Sequence, residues 1–212
     1  MKGIFVTGIG TDVGKTIVSA ILTEVLEADY WKPIQAGDLE NTDSMKVQSW
    51  ISNAKTHIHP EAYRLRTPMS PHAAAGIDGV EIDIHQINLV TTDNFLVVEG
   101  AGGLLVPLNN KDCIIDLIQY LQLPVVLVSK HYLGSINHTL LSIEALQHRN
   151  IPIAGLIFNG ETHPENERII EQKTKLKILF KLQSLTNLDK VTIKDIAKKV
   201  KPLVQSLHSI DM

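Results

Sequence analysis

Phe5–Thr16, FVTGIGTDVGKT, is the stretch whose reading decides the fold. Ile4, Phe5 and Val6 read as a buried strand, Gly8, Gly10 and Gly14 as a tight turn, and Ile17–Leu26 as the helix beyond it. In that arrangement successive backbone N–H groups and a helix N-terminus converge on one anion. Lys15 then supplies a full positive charge for the β- and γ-phosphates of a nucleoside triphosphate, and the Thr16 hydroxyl a ligand for Mg²⁺. The strict pattern G-x-x-x-x-G-K-S/T asks for glycine at position 9, where this chain has Ile9 between two glycines, so the loop is one residue longer when counted from Gly8. Taken alone, the stretch implies binding of a nucleoside triphosphate and nothing narrower.

Working outward, Ile17, Val18, Ile21, Leu22, Val25 and Leu26 recur at helical spacing and Tyr30–Trp31 opens a short second strand, which makes a βαβ unit. Residues 33–80 are looser, with Pro33, Pro60, Pro68 and Pro71 punctuating one helix near Asp43–Ile51 and another from about Pro71. Phe95–Val98 is apolar throughout and ends in Glu99-Gly100-Ala101-Gly102-Gly103, which reads as a central parallel strand meeting a glycine turn, the edge where ligands gather. The alternation continues with a helix over Ile114–Leu121, a strand over Pro124–Val128, a helix over Ser135–His148 and a strand over Ile153–Phe158. A charged helix from about Pro164 to Lys175, a short run Ile178–Leu182 and a last helix near Ile193–Leu207 complete the chain. The expected architecture is one α/β domain over residues 1–212, a doubly wound and mostly parallel sheet with helices on both faces, of the P-loop NTPase type.

Composition supports one domain: 212 residues, 44% hydrophobic and 20% charged, suit a single buried core better than two. A net charge of -3 points away from nucleic acid and towards small molecules or a second copy of the chain as partners. The single cysteine, Cys113, excludes an internal disulfide and fits a reducing compartment as a core residue at the head of a helix. No long apolar segment stands behind a basic start and no apolar run approaches membrane-spanning length, so the expectation is a cytoplasmic protein without a membrane partner.

Three features meet at the strand ends if the sheet is so drawn: the loop from Gly8 to Thr16, Asp43 and Glu99. A nucleotide-bound Mg²⁺ takes one or two carboxylates and a hydroxyl beside its waters, and Thr16, Asp43 and Glu99 supply that set. Each acid has a plainer reading as well, Glu99 as an acid satisfied by the amides of the glycine turn and Asp43 as a helix N-cap in Asn41-Thr42-Asp43-Ser44. Lys32, between Trp31 and Pro33, puts an ammonium on the same rim or else is a solvated edge residue. His57 and His59 lack a third ligand at metal spacing and read as a surface loop.

The chain resembles the dethiobiotin synthetases, on pieces that occur in order over roughly three quarters of its length. They are FVTG with T-D-V-G-K-T, W-K-P-I-Q-A-G at 31–37, N-T-D at 41–43, S-P-H-A-A-A at 70–75, V-V-E-G-A-G-G at 97–103, L-P-V-V-L-V at 123–128, L-G-S-I-N-H at 133–138 and G-L-I-F-N at 155–159. The resemblance implies an enzyme that uses ATP and Mg²⁺ to join CO₂ to 7,8-diaminopelargonate and close the ureido ring. It implies nucleotide contacts from Asp12, Val13, Gly14, Lys15, Thr16 and Ile17, from Asp43, Glu99, Gly100, Ala101 and Gly102, and from Asn159 and Gly160, with Asn159 at the adenine edge. Thr16, Asp43 and Glu99 match its metal ligands, and Lys15, Lys32 and Thr11 its catalytic positions. Substrate contacts fall on Thr11, Lys32, Ala36 and the turn Gly134, Ser135, Ile136 and Asn137, the last four acting across the interface of a homodimer.

Two departures stand out. Ala36 replaces the Ser or Thr common before the glycine of K-P-x-x-S/T-G, so a hydroxyl contact is absent or is replaced by Gln35 or water, and Ile178–Leu185 lacks the proline often found near the base. An ATP-driven switch of the plasmid-partition or septum-placing kind is the alternative function. Those proteins carry a lysine five positions before the loop lysine, where this chain has Gly10.

Overall fold

Continuous apolar runs become central strands here because helices cover both faces of the sheet. The computed structural model describes residues 2–209. Its elements are β1 (Gly3–Gly8), α1 (Lys15–Leu26), β2 (Asp29–Trp31), β3 (Ile34–Ala36), α2 (Asp43–Trp50), β4 (Ile58–His59), β5 (Tyr63–Leu65) and α3 (Pro71–Asp78), followed by β6 (Leu96–Gly103), α4 (Ile114–Leu121), β7 (Val125–Lys130), α5 (Ser135–His148), β8 (Ile153–Asn159), α6 (Pro164–Thr174), β9 (Ile178–Leu182) and α7 (Lys190–Val204). Short 3₁₀ turns lie at Ile84–Gln86 and Gln205–Ser209.

Seven strands form one sheet in the order β4-β2-β6-β1-β7-β8-β9, every pair parallel. The order reverses at β1, so the loop after β1 opens at the crevice where parallel sheets of this kind bind ligands. Strand alternation divides the core: Phe5, Trp31, Val98, Leu127 and Phe158 face one layer with Ile114, Ile118 and Ile143. Ile4, Val6, Tyr30, Val97 and Ile157 face the other, with Val18, Ile21 and Leu22 of α1 and Ile193, Val200 and Val204 of α7. Among the described residues no helix is long and apolar enough to cross a membrane.

The structure differs from the sequence reading in three places. β6 does not turn at Gly100 but runs on to Gly103, pairing Gly103 with Gly8 after a register shift. Side chains are absent where the loop after β1 comes closest, and a Cβ on Gly103 would stand 3.4 Å from the Gly10 backbone. Residues 33–65, read as irregular apart from α2, contain β3 and β5, which pair in parallel as a separate two-stranded sheet. These strands have three residues each, too few for alternation to show in the sequence. His59 is no surface residue: it is buried in edge strand β4, with Nε2 3.0 Å from Asp29 Oδ2.

Gly37 holds the small sheet against the cleft wall. It has φ 73 and its N–H donates to the Leu65 carbonyl at 2.8 Å. An added Cβ would lie 2.5 Å from Cα of Pro68. Gly37→Ala combines left-handed strain with a backbone clash and is expected to cost about 2 kcal/mol. Thermal unfolding should register that as a fall in Tm of roughly 4–8 °C.

Candidate active site

The loop between β1 and α1 ends at Gly14, whose φ of 92 is a conformation that glycine adopts without strain. A side chain there would also collide with Asn159, whose amide donates to the Val13 carbonyl at 2.8 Å and ties the loop to the end of β8. Lys15 begins α1 and folds back so that Nζ donates to the Gly10 carbonyl at 2.8 Å. Its ammonium is buried, and burial lowers its pKa to about 8, with the Glu99 carboxylate pulling it upward and neighbouring Lys32 pushing it down.

Glu99 is the centre of the polar cluster. Alternation along β6 puts it on the same face as Val97, beneath α1, with only 1% of its surface exposed. Oε1 accepts from Thr16 Oγ1 at 2.8 Å and from Lys32 Nζ at 3.2 Å, while Oε2 accepts from the Tyr30 hydroxyl at 2.9 Å. Its partners are therefore side chains from α1, β2 and the residue after β2, not the amides of a glycine turn. Lys32 is equally far from a solvated edge residue: it is buried and donates to Asp43 as well as Glu99. Burial works against its charge, but the two carboxylates hold the ammonium above its ordinary value.

Asp43 is free to make that pair because the cap lies one residue earlier. Thr42 is the N-cap of α2, its hydroxyl accepting from Met45 N–H at 3.2 Å, and Asp43 is the first helical residue. Gln35 holds the segment in place, accepting from Asp43 N–H at 3.3 Å and donating to the Gly37 carbonyl at 2.9 Å. Its amide is thereby committed to the backbone. Lys46 stands behind, 3.5 Å from Asp43 Oδ1 and 3.0 Å from Asp38 Oδ2. Burial would raise the Asp43 carboxyl, but Lys32 and Lys46 hold it below the usual carboxylate range.

These groups open onto a cleft of about 700 Å³. Of the residues singled out in the sequence, Thr11, Asp12, Gly14, Lys15, Thr16, Ile17, Lys32, Ala36, Asp43, Glu99, Ala101 and Gly102 line it. Val13 is buried behind the loop, and Gly134–Asn137 stand apart at the start of α5, where Gly134 has φ 99 and Ser135 is buried. A shallower depression of about 390 Å³ also reaches Thr11 and runs between Leu105 and His138. Sequence reasoning overlooked Tyr30 and Lys46 as polar partners and the wall of Pro68, Met69, Ser70 and Pro71 across the cleft. The only signal for that wall was the motif S-P-H-A-A-A, which by itself assigns no role. Tyr30 reads as strand core until the β2–β6 register pairs it with Val97, one step below Glu99 on the same face.

The oxygen atoms of Asp43, Glu99 and Thr16 share one rim and suit a hard cation, with the Lys32 ammonium paired to both acids. Among the described residues no group of three His, Cys, Asp or Glu side chains stands together to enclose a metal. The set fits Mg²⁺, which takes its remaining ligands from phosphate and water.

Comparison with known proteins identifies relatives of the chain. A family model described as an AAA domain matches residues 2–192. An ATP-dependent dethiobiotin synthetase of Christiangramia forsetii is 54% identical over 198 residues, covering 93% of this chain and 95% of that protein. The enzyme of the same name from Cytophaga hutchinsonii is 50% identical over 201 residues, covering 94% and 97%. Among solved structures, the cell division ATPase MinD of Pyrococcus furiosus superposes with a TM-score of 0.64 at 13% identity, covering 98% of this chain and all (100%) of that one, a likeness of fold alone.

Lys32 neutralises two acids at once, so removing it leaves Glu99 buried without its cation. Lys32→Met is expected to lower stability by about 3–5 kcal/mol at pH 7, read as a fall in the urea midpoint. Wild-type stability from the depressed Asp43 carboxyl is present above the ordinary aspartate value of about 3.8 and lost as pH falls through its lower folded value, so the difference between the two proteins should narrow in acid.

Proposed function

The chain belongs to the dethiobiotin synthetase family, and on that premise we propose that its cleft joins CO₂ to 7,8-diaminopelargonate and closes the ring to dethiobiotin, with conversion of ATP to ADP and phosphate. It is an ATP-dependent cyclo-ligase. The observation that carries the reading is the convergence of Lys15, Lys32, Thr16, Asp43 and Glu99 in one cleft, two ammonium groups and two carboxylates around one helix N-terminus.

One amine of the substrate adds CO₂ and loses a proton to give a carbamate. A carbamate oxygen attacks the γ-phosphorus as the bond to ADP breaks, and the second amine then attacks the activated carbonyl, expelling phosphate and closing the five-membered ring. Such a transfer asks the protein for position and charge, with no covalent help. Lys15 neutralises the β- and γ-phosphates, Lys32 faces the carbamate, and Thr11, on the rim shared by both depressions, borders the reacting end. Thr16, Asp43 and Glu99 would hold Mg²⁺, which would supply positive charge to offset that of the phosphates.

In this reading Asp12, Val13, Gly14 and Ile17 complete the phosphate cradle, backed by Gly100, Ala101 and Gly102, and Asn159 and Gly160 are assigned to the base. The substrate chain runs past Ala36. Its carboxylate reaches Gly134–Asn137 of a partner subunit in a homodimer, a helix N-terminus being a sound place for an anion. The rival reading, an ATPase switch of the partition or septum-site type, is disfavoured by Gly10 in place of a lysine and by the far higher identity to synthetases.

Incubation with diaminopelargonate, bicarbonate, Mg²⁺ and ATP should yield dethiobiotin by mass; ATP hydrolysis indifferent to the diamine would support the switch instead. Lys15→Gln should lower kcat by two or more orders of magnitude. Because Lys15 titrates at about 8 and only its ammonium complements phosphate, affinity for a non-hydrolysable ATP analogue should be full below that pH. Above it affinity should fall about tenfold per pH unit by calorimetry, a slope that Lys15→Arg abolishes.

A further inference from the structure

We propose that Tyr30 is a positioning residue for the metal site: its hydroxyl, 2.9 Å from Glu99 Oε2, fixes the rotation of that carboxylate so that Oε1 faces Thr16 and the phosphate loop. The inference rests on the reading of Glu99 as a Mg²⁺ ligand and deepens it.

Three observations carry it. Tyr30 is fully buried, and its ring packs in the layer between the sheet and α1. The parallel register pairs Tyr30 with Val97, and a tyrosine is long enough to reach from there, along the strand, to the acid two residues further on. The two oxygens of Glu99 have divided duties: Oε1 meets Thr16 and Lys32, both of which line the cleft, whereas Oε2 meets, among the described residues, only Tyr30, which does not. A carboxylate with one oxygen pinned on the dry side has a single orientation left for the other, and fixing a ligand through such an outer contact is how proteins sharpen metal affinity. Thr16 and Lys32 cannot take over this task, because both approach the opposite oxygen.

The test compares Tyr30→Phe, Glu99→Gln and the double variant. Mn²⁺ affinity is read by EPR in the presence of a non-hydrolysable ATP analogue, and the Mg²⁺ concentration for half-maximal turnover by kinetics. Tyr30→Phe should weaken metal binding roughly tenfold, within the range for an outer-shell partner, while kcat at saturating Mg²⁺ recovers to within a few-fold of wild type. In the Glu99→Gln background the same change should add nothing. A second arm places 3-fluorotyrosine at position 30, which keeps the ring and makes the hydroxyl a stronger donor; it should leave metal affinity unchanged or tighter, and it serves even if Tyr30→Phe folds poorly. Unchanged metal affinity in Tyr30→Phe, an equal loss in both backgrounds, or a tenfold loss with the fluorinated residue would overturn the proposal. If Glu99→Gln itself leaves metal dependence untouched, the failure lies with the assignment of Glu99.

Discussion

Burial of one negative charge organises this molecule. A carboxylate withdrawn from water is costly unless hydrogen bonds and an opposite charge replace its hydration. Glu99 receives a hydroxyl from α1, a phenol from β2 and an ammonium from the residue after β2. No single segment could supply all three. The strand order that sets β6 between β2 and β1 is thus also the arrangement that makes this acid tolerable at its site. The low-dielectric surroundings that make the charge expensive are those in which it acts most strongly on a cation or a phosphate.

Much of this was legible in the chain. The strand–loop–helix at Phe5–Thr16, the apolar runs of β6, β7 and β8 and the helices α4 and α5 follow from periods of 2 and 3.6, and Thr16, Asp43, Glu99, Lys15 and Lys32 share a cleft as expected. What stayed hidden depends on register or on very short elements. Asp43 looked as much a cap as a ligand until Thr42 was seen to do the capping. Nothing in the local pattern distinguishes Tyr30 from any aromatic strand residue. β3, β4 and β5, of two or three residues each, fall below the length at which alternation can be recognised.

Other buried acids follow the same logic and frame the site from outside. Glu24 of α1 accepts from the backbone N–H groups of Ser52 and Asn53 at 2.7 and 3.0 Å, fixing the exit of α2 and thereby the helix that begins with Asp43. Asp29 gathers His57 N–H, His59, Thr92 and Asn94 around the start of β2. Both carboxyls are held below their ordinary values by those hydrogen bonds, against the opposing effect of burial. They anchor the loops at the end of β2 away from Lys32, outside the cleft.

The two-residue edge strand β4 bears on how copies of the protein can meet. Exposed sheet edges invite strand-by-strand extension from one molecule to the next, and proteins block this with edges that are short or charged. At one end β4 offers only Ile58 and His59, the latter locked to Asp29; at the other, β9 carries Lys181, engaged with Glu167 of α6. Neither end provides a long, flat template for a continuous intermolecular sheet. Large apolar side chains stand in solvent elsewhere, on the loop and helix surfaces of Leu105, Leu133 and Leu141. A short edge, tied down through Asp29, thus acts as a safeguard against open-ended polymerisation through the sheet.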